Sequence, residues 1–438
     1  MSRTKSGLEP NLGLLQNAGF RRLLESRLAG QTATNAMIYA VLILLVKEHG
    51  SSIHATLLIV ALSLPSIVLG IPAGTLADIL PRRFTMTAGY LARAGIALAL
   101  VYYNGHLGYI YLLVAAHSSV GQLFGPAEAA ATPAVVRREQ LPAANALMTL
   151  GLVLAQIAGM VVLAPFLIKL LGPDAVFAVS AALFLAGAFI VGWLARGFSG
   201  GANGHRPHTG FIEATREGFR ILRTNRHAYL AMAYLITAVA LSKVLVILLP
   251  EYTRTVLRIE PEDAVFVAAP AAIGAALGLL LVPLLSKLFG AWRVVAFGFF
   301  LFLAGLIGLG MVVFVRDFLL ENLDLGIGFV EEEVGVSSVI TVAMLLAMPL
   351  GFSFTLTNVA ARVVMNEQAP PEAQGRVFAL QMALGDLLSL PPLLAVGVSA
   401  DVLGVRATLL AAAVAALAAS LFLTFSRRSR MRPEGGAK

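Results

Sequence analysis

The chain has 438 residues, of which 58% are hydrophobic and 13% are charged, and its mean hydropathy is +0.84. Soluble proteins carry about a quarter of their residues as charged side chains, so most of this chain is predicted to lie in lipid. The sequence contains no cysteine, which excludes disulfides, thiolate metal sites and a thiol nucleophile. Its net charge of +8 would allow a nucleic-acid partner, but in a membrane protein the placement of basic residues among the loops is more informative.

Apolar runs of membrane-spanning length follow one another along the whole chain. A spanning helix needs about 20 apolar residues. The first twenty residues lack the apolar core and cleavage site of a signal peptide, so the first run is expected to remain as a helix. We therefore predict an all-α integral membrane protein with twelve transmembrane helices, at residues 23–46, 55–77, 84–103, 109–133, 143–168, 175–195, 228–249, 264–285, 294–315, 338–362, 377–400 and 405–425.

One long polar segment, residues 197–227, separates the sixth run from the seventh and divides the chain into two six-helix halves. The sequence Glu-Gln-Leu-Pro at 139–142 matches Glu-Gln-Ala-Pro at 367–370, and each lies between the fourth and fifth runs of its half. This weak repeat favours two parallel, pseudo-symmetric bundles. The predicted organisation is an N-terminal tail, a first bundle, a linker, a second bundle and a C-terminal tail, at 1–22, 23–196, 197–227, 228–425 and 426–438.

The linker has an amphipathic pattern. One helical face carries Ile212, Phe219 and Leu222, and another carries arginines that include Arg216 and Arg220. This pattern predicts a helix on the cytoplasmic membrane surface, with its bases near anionic lipid.

The distribution of basic residues predicts the orientation. If the N-terminus is cytoplasmic, the cytoplasmic side holds 24 of the 32 Lys and Arg residues, counting Arg27 and Arg362 in the cytoplasmic parts of their spans. The outer side holds 6, counting Arg406 at the outer end of its span. Cytoplasmic loops are enriched in Lys and Arg, so both termini are predicted to be cytoplasmic.

A short charged hinge separates the second and third runs. It reads Gly74-Thr-Leu-Ala-Asp78-Ile-Leu-Pro-Arg82-Arg83. The hinge resembles the loop between the second and third helices of the major facilitator superfamily, Gly-x-Leu-Ala-Asp-Arg-x-Gly-Arg-Arg. Ile79 and Pro81 stand where the pattern has arginine and glycine.

Two further stretches resemble a branch of that superfamily, the drug and siderophore exporters that include macrolide-efflux and enterobactin-export proteins. They are Phe124–Val136, leading into Ala144–Leu147, and Gly375–Leu380. The resemblance covers about residues 20–425. It implies two bundles that rock around a central cavity in alternating access.

The resemblance also implies a gate. In the superfamily the hinge aspartate docks at the cytoplasmic end of the eleventh helix when the inner gate is shut. Asp78 is thus expected to contact the first turn of that helix, at Gly375 and Arg376, because a helix N-terminus favours a carboxylate. In the alternative interpretation, Asp78 only caps its own turn.

Several polar residues lie inside predicted spans, where a charge needs a partner or a purpose. Arg93 and Glu128 lie roughly 15 Å and roughly 12 Å from the cytoplasmic edge at 1.5 Å per residue, so we expect an ion pair, either structural or proton-sensitive. Asp386 lies near the bilayer middle and is a candidate for proton coupling, with a hydrogen bond to a neighbour as the alternative. Lys243 is expected to extend outward to the interface, or else to face the cavity, where it would attract an anionic substrate or pair with Asp386.

Four more polar residues complete the candidate set. His117 shares a helical face with Glu128 and is interpreted as hydrogen-bonded packing or as a proton relay. Arg27, Gln31 and Asn35 form one polar stripe at i, i+4 and i+8, which should face the cavity or another helix.

The sequence has no phosphate-binding loop, metal constellation or catalytic triad, so an ATPase or an enzyme, such as an acyltransferase, is disfavoured and no cofactor is expected. We predict a monomeric exporter in the cytoplasmic membrane of a prokaryote. It would exchange an amphipathic or lipophilic solute for protons. The alternative within transport is a flippase for lysophospholipid or another lipid-like solute.

Overall fold

The computed structural model describes residues 9–49, 52–103, 105–137, 140–193, 225–322, 331, 336–368 and 374–430. These residues are helical almost throughout, and they include no strand. The predicted surface helix of the linker lies outside the described residues. Asn225, near the end of the linker, caps the helix that follows, because its side chain accepts hydrogen bonds from the backbone N–H groups of His227 and Ala228.

The helices of the first half agree closely with the predicted spans. Their bounds are α1 Glu9–Gln16, α2 Ala18–His49, α3 Ser52–Ile79, α4 Arg82–Tyr103, α5 Leu107–Val135, α6 Leu141–Gln156, α7 Ala164–Leu171 and α8 Pro173–Gly192. A π-helical segment, Ile157–Leu163, joins α6 to α7, so the predicted fifth span is one continuous helix with a local bulge.

The second half begins at the end of the linker. Its helices are α9 Arg226–Tyr252, α10 Val265–Phe289, α11 Ala291–Gly310, α12 Val312–Asn322, α13 Ser338–Gln368, α14 Gln374–Leu403 and α15 Val405–Arg430. The predicted ninth span, 294–315, is broken at Met311, and the loop predicted from residue 316 begins as the helix α12.

Ten helices in the described part of the chain are long and apolar enough to cross a membrane. The second and eleventh predicted spans fall within α3 and α14, whose described apolar segments are Ile53–Ser66 and Leu387–Leu403. Large apolar side chains are exposed on the helices, among them Leu280 at 72% and Val402 at 76%. Such exposure suits a lipid environment, and the helix pattern is consistent with twelve spans.

The chain divides into two compact units. The first comprises Met1–Leu45 and Val60–Pro207, and the second comprises Val46–Ile59 and His208–Lys438. In the first unit, Tyr90 of α4 is 1% exposed. Its ring lies so close to Gly30 and Gly187 that a Cβ atom added there would approach Cε1 to 2.5 Å and 3.1 Å. Glycine in the neighbouring helices thus makes room for a large buried ring.

In the second unit, α10 and α13 approach each other backbone to backbone. A Cβ atom on Gly274 would lie 1.9 Å from the carbonyl oxygen of Met348, and one on Gly351 would lie 1.8 Å from that of Ala271. Small residues at helix interfaces permit such close packing within membranes.

Arginine side chains join the first and last helices of each half. Arg22 of α2 donates to the carbonyl oxygen of Trp193, at the end of α8, over 2.9 Å. Arg226 of α9 donates to the carbonyl oxygen of Thr424 in α15 over 3.2 Å. At Trp193, the C-terminal end of α8, such a cation satisfies a free carbonyl group and complements the helix dipole.

Candidate functional site

One face of α5 carries the polar residues of the first unit. His117, Gly121, Phe124 and Glu128 follow at i, i+4, i+7 and i+11, the spacing that places side chains along one helical stripe. His117 is 3% exposed and Glu128 is 5% exposed. We call these four residues the α5 stripe.

Glu128 forms its ion pair with Arg27 of α2, across 3.2 Å between Oε2 and Nη1. The predicted partner was Arg93, but no ion pair within 4 Å joins Arg93 to Glu128 in this structure, so a pair that forms at another stage of the transport cycle stays a prediction. The polar stripe of α2 that begins at Arg27 was predicted to face the cavity or another helix, and Arg27 contacts α5 here. Equal depth did not identify this contact, because depth leaves rotation about the helix axis undetermined.

Arg93 instead lies over the ring of Phe124, with its guanidinium carbon 4.6 Å from the ring centroid. It is 8% exposed, and its Nε has no hydrogen-bond partner in the described part of the chain. A cation–π contact contributes about 2 kcal/mol when desolvated, whereas removing a guanidinium from water costs several kcal/mol. Phe124 therefore offsets only part of the cost of burying this charge.

Tyr90 connects the helices around this cluster. Its hydroxyl donates to the carbonyl oxygen of Ser26, one residue before Arg27, over 2.7 Å. Its ring packs edge-on against Phe124 with centroids 4.7 Å apart. Sequence reasoning missed this residue, although a tyrosine one turn before an intramembrane arginine was a usable signal.

His117 stands at the other end of the α5 stripe. Its ring lies 5.7 Å from that of Phe184 in α8, and its Nδ1 has no hydrogen-bond partner among the described residues. The ring thus packs in an apolar setting without the hydrogen bond at Nδ1 that the packing interpretation expected, and no hydrogen bond joins His117 to Glu128 among the described residues.

Gln31 and Asn35 are only half-buried. The side chain of Asn35 donates to the carbonyl oxygen of Gln31 within the same helix, over 2.7 Å. Nearby, Gly159 in the π-helical segment lies so close to α2 that a Cβ atom there would lie 2.4 Å from the carbonyl oxygen of Thr32. The π bulge thus coincides with the closest approach between these two helices.

In the second unit, Lys243 of α9 donates to the hydroxyl of Ser389 in α14 over 3.1 Å. This contact favours the alternative in which Lys243 faces α14 over the one in which it extends outward to the interface. Ser389 lies three residues after Asp386, on the same face of the helix. The side-chain contacts of Asp386 itself lie outside the described residues.

The non-helical connection between the second and third spans is shorter than the sequence motif, because most motif residues belong to the two helices. Gly74 and Asp78 belong to the last turns of α3, and Arg82 and Arg83 open α4 after a bend at Leu80. The guanidinium of Arg83 donates to the carbonyl oxygen of Gly192, at the end of α8.

The other side of the predicted gate begins α14, where Gly375 and Arg376 lie in the first turn. The side-chain contacts of Asp78 and Arg376 lie outside the described residues, so the latch stays a prediction. The described residues contain no cluster of His, Asp and Glu suited to a metal ion.

These features define a class of protein. Helices of membrane-spanning length that bury charged and polar contacts between them are typical of a polytopic membrane transporter. The chain belongs to the Major Facilitator Superfamily, whose family model matches residues 28–391. It is 25% identical over 396 residues, 88% of each chain, to an uncharacterized MFS-type transporter, YfiS, of Bacillus subtilis (strain 168). The protein is thus a transporter and not an enzyme.

Solved structures share the fold. A mutant of the nucleoside transporter NupG superposes with a TM-score of 0.69 at 11% identity, over 93% of this chain and 99% of that one. A bacterial homologue of the human lysosomal transporter Spinster, inward-facing and unoccupied, gives 0.66 at 13% identity, over 94% and 97%. An inward-facing bacterial homologue of the iron transporter ferroportin gives 0.64 at 14% identity, over 96% and 100%. At such identities the likeness shows the fold and identifies no substrate.

Proposed function

We propose that this protein exports an amphipathic or lipophilic small molecule in exchange for protons, by alternating access. The observation that carries the proposal is the ion pair of the buried Glu128 and the part-buried Arg27, whose members belong to different helices. Protonation of Glu128 would cancel its charge and release Arg27. A gradient of protons could thereby bias the packing of α2 against α5.

Asp386 is the second candidate for coupling. It lies one turn before Ser389, which accepts a hydrogen bond from Lys243. This placement favours the interpretation in which Lys243 faces α14 and pairs with Asp386. Protonation of Asp386 would then remove a negative charge from the second bundle, as protonation of Glu128 would from the first.

The hinge supplies the gate of this proposal. Asp78 latches onto the first turn of α14, at Gly375 and Arg376, in the outward-open state and leaves it in the inward-open state. The N–H groups of a first helical turn have no intrahelical partners, which supports a carboxylate as their ligand. At the other end of the hinge, Arg83 donates a hydrogen bond to the carbonyl oxygen of Gly192 at the end of α8, and this contact would anchor the hinge.

The setting of the transporter follows from the charge distribution. The basic residues favour cytoplasmic termini, in the plasma membrane of a prokaryote, with a monomer of two bundles at 23–196 and 228–425 as the working unit. The linker between them, 197–227, would lie on the inner membrane surface near anionic lipid.

Transport into inverted membrane vesicles tests the proposal. An acidic lumen should drive accumulation of at least one solute from a panel of dyes, macrolides, siderophores and lysolipids, and a protonophore should abolish it. The panel includes lysolipids because a lipid-like solute is the alternative substrate. Accumulation that ignores the pH gradient would contradict proton exchange.

Matched variants locate the coupling. Glu128→Gln and Asp386→Asn should each reduce gradient-driven accumulation at least tenfold while leaving expression intact. Glu251→Gln is the control, because Glu251 pairs with the neighbouring Arg254 on its own helix and takes no part in the proposal. Loss of transport in the control as well would indicate that the effect is not specific.

A further inference from the structure

We propose that the guanidinium of Arg93 binds an anionic group of the transported solute, so that the solute is an amphiphile bearing a carboxylate or a phosphate. This inference rests on the proposed transport function and specifies its substrate class. It starts from the charges around the α5 stripe. Two guanidinium groups, those of Arg27 and Arg93, lie beside a single carboxylate, that of Glu128. The buried cluster therefore carries one positive charge in excess.

The Glu128 carboxylate already forms an ion pair with Arg27. Glu128 lies 3.2 Å from Nη1 of Arg27, and Arg93 has neither an ion pair nor a hydrogen bond with any part of the chain that the structure describes. Phe124 attracts the guanidinium through its ring face but supplies no negative charge. A cation that is 8% exposed and shares its nearby carboxylate with a closer arginine, without an ion pair of its own within 4 Å, is a ready site for an anion from outside the chain.

The α5 stripe also leaves room for such a group. A Cβ atom on Gly121 would meet one neighbour within 4 Å, Nη2 of Arg93 at 3.1 Å, and a Cβ atom on Gly125 would meet nothing. The tip of Arg93 thus ends over a strip of bare helix backbone. One turn earlier, Nδ1 of His117 is a second polar atom without a partner among the described residues.

The planar guanidinium suits two ligand groups. Carboxylate and phosphate oxygens both match its fork of N–H donors. An ammonium or an uncharged headgroup does not, and beside an excess positive charge an ammonium would be repelled. The expected solute therefore combines an apolar body with an anionic end.

Binding to the full-length protein tests this inference without any gradient. The protein is held in nanodiscs of zwitterionic lipid, and the probes are decanoate, decyl phosphate, decyltrimethylammonium and decanol, each below its micellar concentration. The unmodified protein should bind at least one anionic probe at least tenfold more tightly than the cationic and neutral probes. The tighter of decanoate and decyl phosphate assigns the group. Equal binding of all four probes would overturn the inference.

Variants place the site. Arg93→Gln should abolish the anionic preference, and Arg93→Lys should retain part of it because the charge remains. Arg362→Gln is the matched control, since Arg362 is a half-buried arginine of the second unit that donates to the neutral side chain of Asn358. It should keep the preference. If Arg93→Gln keeps it too, or if the control loses it, the anions bind elsewhere and the inference fails.

Two competing outcomes remain distinct. If Arg93→Gln does not fold, Gly121→Val serves instead, because its side chain would displace the guanidinium while keeping the charge, and anion binding should weaken at least tenfold. Unchanged anion binding in Gly121→Val would count against the site. Proton-driven transport without an anionic preference would sink this inference alone. An anionic preference that depends on Arg93, without proton-driven transport, would support it and sink only the proposed coupling.

Discussion

Nη1 of Arg27 lies 3.2 Å from Oε2 of Glu128, and this contact ties α2 to α5 inside the first unit. The carboxylate side chain is 7% exposed and the arginine side chain 21% exposed, so water screens the pair only weakly. A pair of this kind stabilises one packing of two helices only while both members are charged. This property makes it both a structural contact and a candidate switch.

Breaking this pair from one side should be costly. Arg27→Gln removes the nearer of the two guanidinium groups beside the buried Glu128 carboxylate, and the free energy of unfolding should fall by up to about 3–5 kcal/mol. The double variant Arg27→Gln/Glu128→Gln should recover part of that loss, because neither member of the pair is then charged. Thermal unfolding of the four proteins in one detergent gives the coupling energy. Additive effects of the two substitutions would contradict a direct pair.

The close approach of α10 and α13 predicts a sharp glycine effect. Gly274→Ala places a Cβ atom against the carbonyl oxygen of Met348 and should destabilise the protein by about 1–3 kcal/mol through forced helix displacement. The control is Gly95→Ala in α4, where no atom lies within 4 Å of the added Cβ. There the helix gains roughly 0.5–1 kcal/mol from the better propensity of alanine. Equal unfolding temperatures for the two variants would refute the tight contact.

Substitutions at the two ends of the hinge should distinguish a structural role, at Arg83, from a gating role, at Asp78. Arg83→Gln removes a donor to the end of α8, and should lower the unfolding temperature by an amount equivalent to about 1 kcal/mol. Asp78→Asn should leave the unfolding temperature unchanged and abolish or bias transport, if the carboxylate acts as a latch. Thermal unfolding and vesicle transport are measured on both. Normal transport kinetics in Asp78→Asn would argue strongly against the latch.

The side chain of Lys243 can be located chemically, because the chain has no cysteine of its own. A single cysteine at Lys243→Cys should react slowly with a membrane-impermeant maleimide added from outside, since the native side chain points to Ser389. Arg258→Cys, at an exposed position after α9, should react at least tenfold faster. Fast labelling at both positions would show that Lys243 lies in an outward-open path.

The helices were predictable because membrane thickness dictates their length, and apolar runs of that length are easy to recognise. The contacts of the charged residues were harder. Depth in the membrane placed Arg93 near Glu128, but the rotation of α4 and α2 decides which arginine reaches the carboxylate. That rotation depends on tertiary packing, such as the fit of Tyr90 between Gly30 and Gly187.

The contact of Lys243 was also difficult to predict from the sequence. Extension to the interface is the general rule for a lysine near the end of a spanning helix. Here a hydroxyl on α14 lies at the same depth, and a local hydrogen bond replaces the contact with water. The break at Met311 was missed because the apolar run continues through it without a proline.

The arginine contacts at the helix ends have a consequence for how the chain can be divided. Arg22 fastens the start of α2 to the end of α8, and Arg226 fastens the start of α9 to α15. Each of these contacts therefore joins two helices of the same half. A gene cut between residues 197 and 224 should yield two polypeptides that assemble on co-expression into a working transporter.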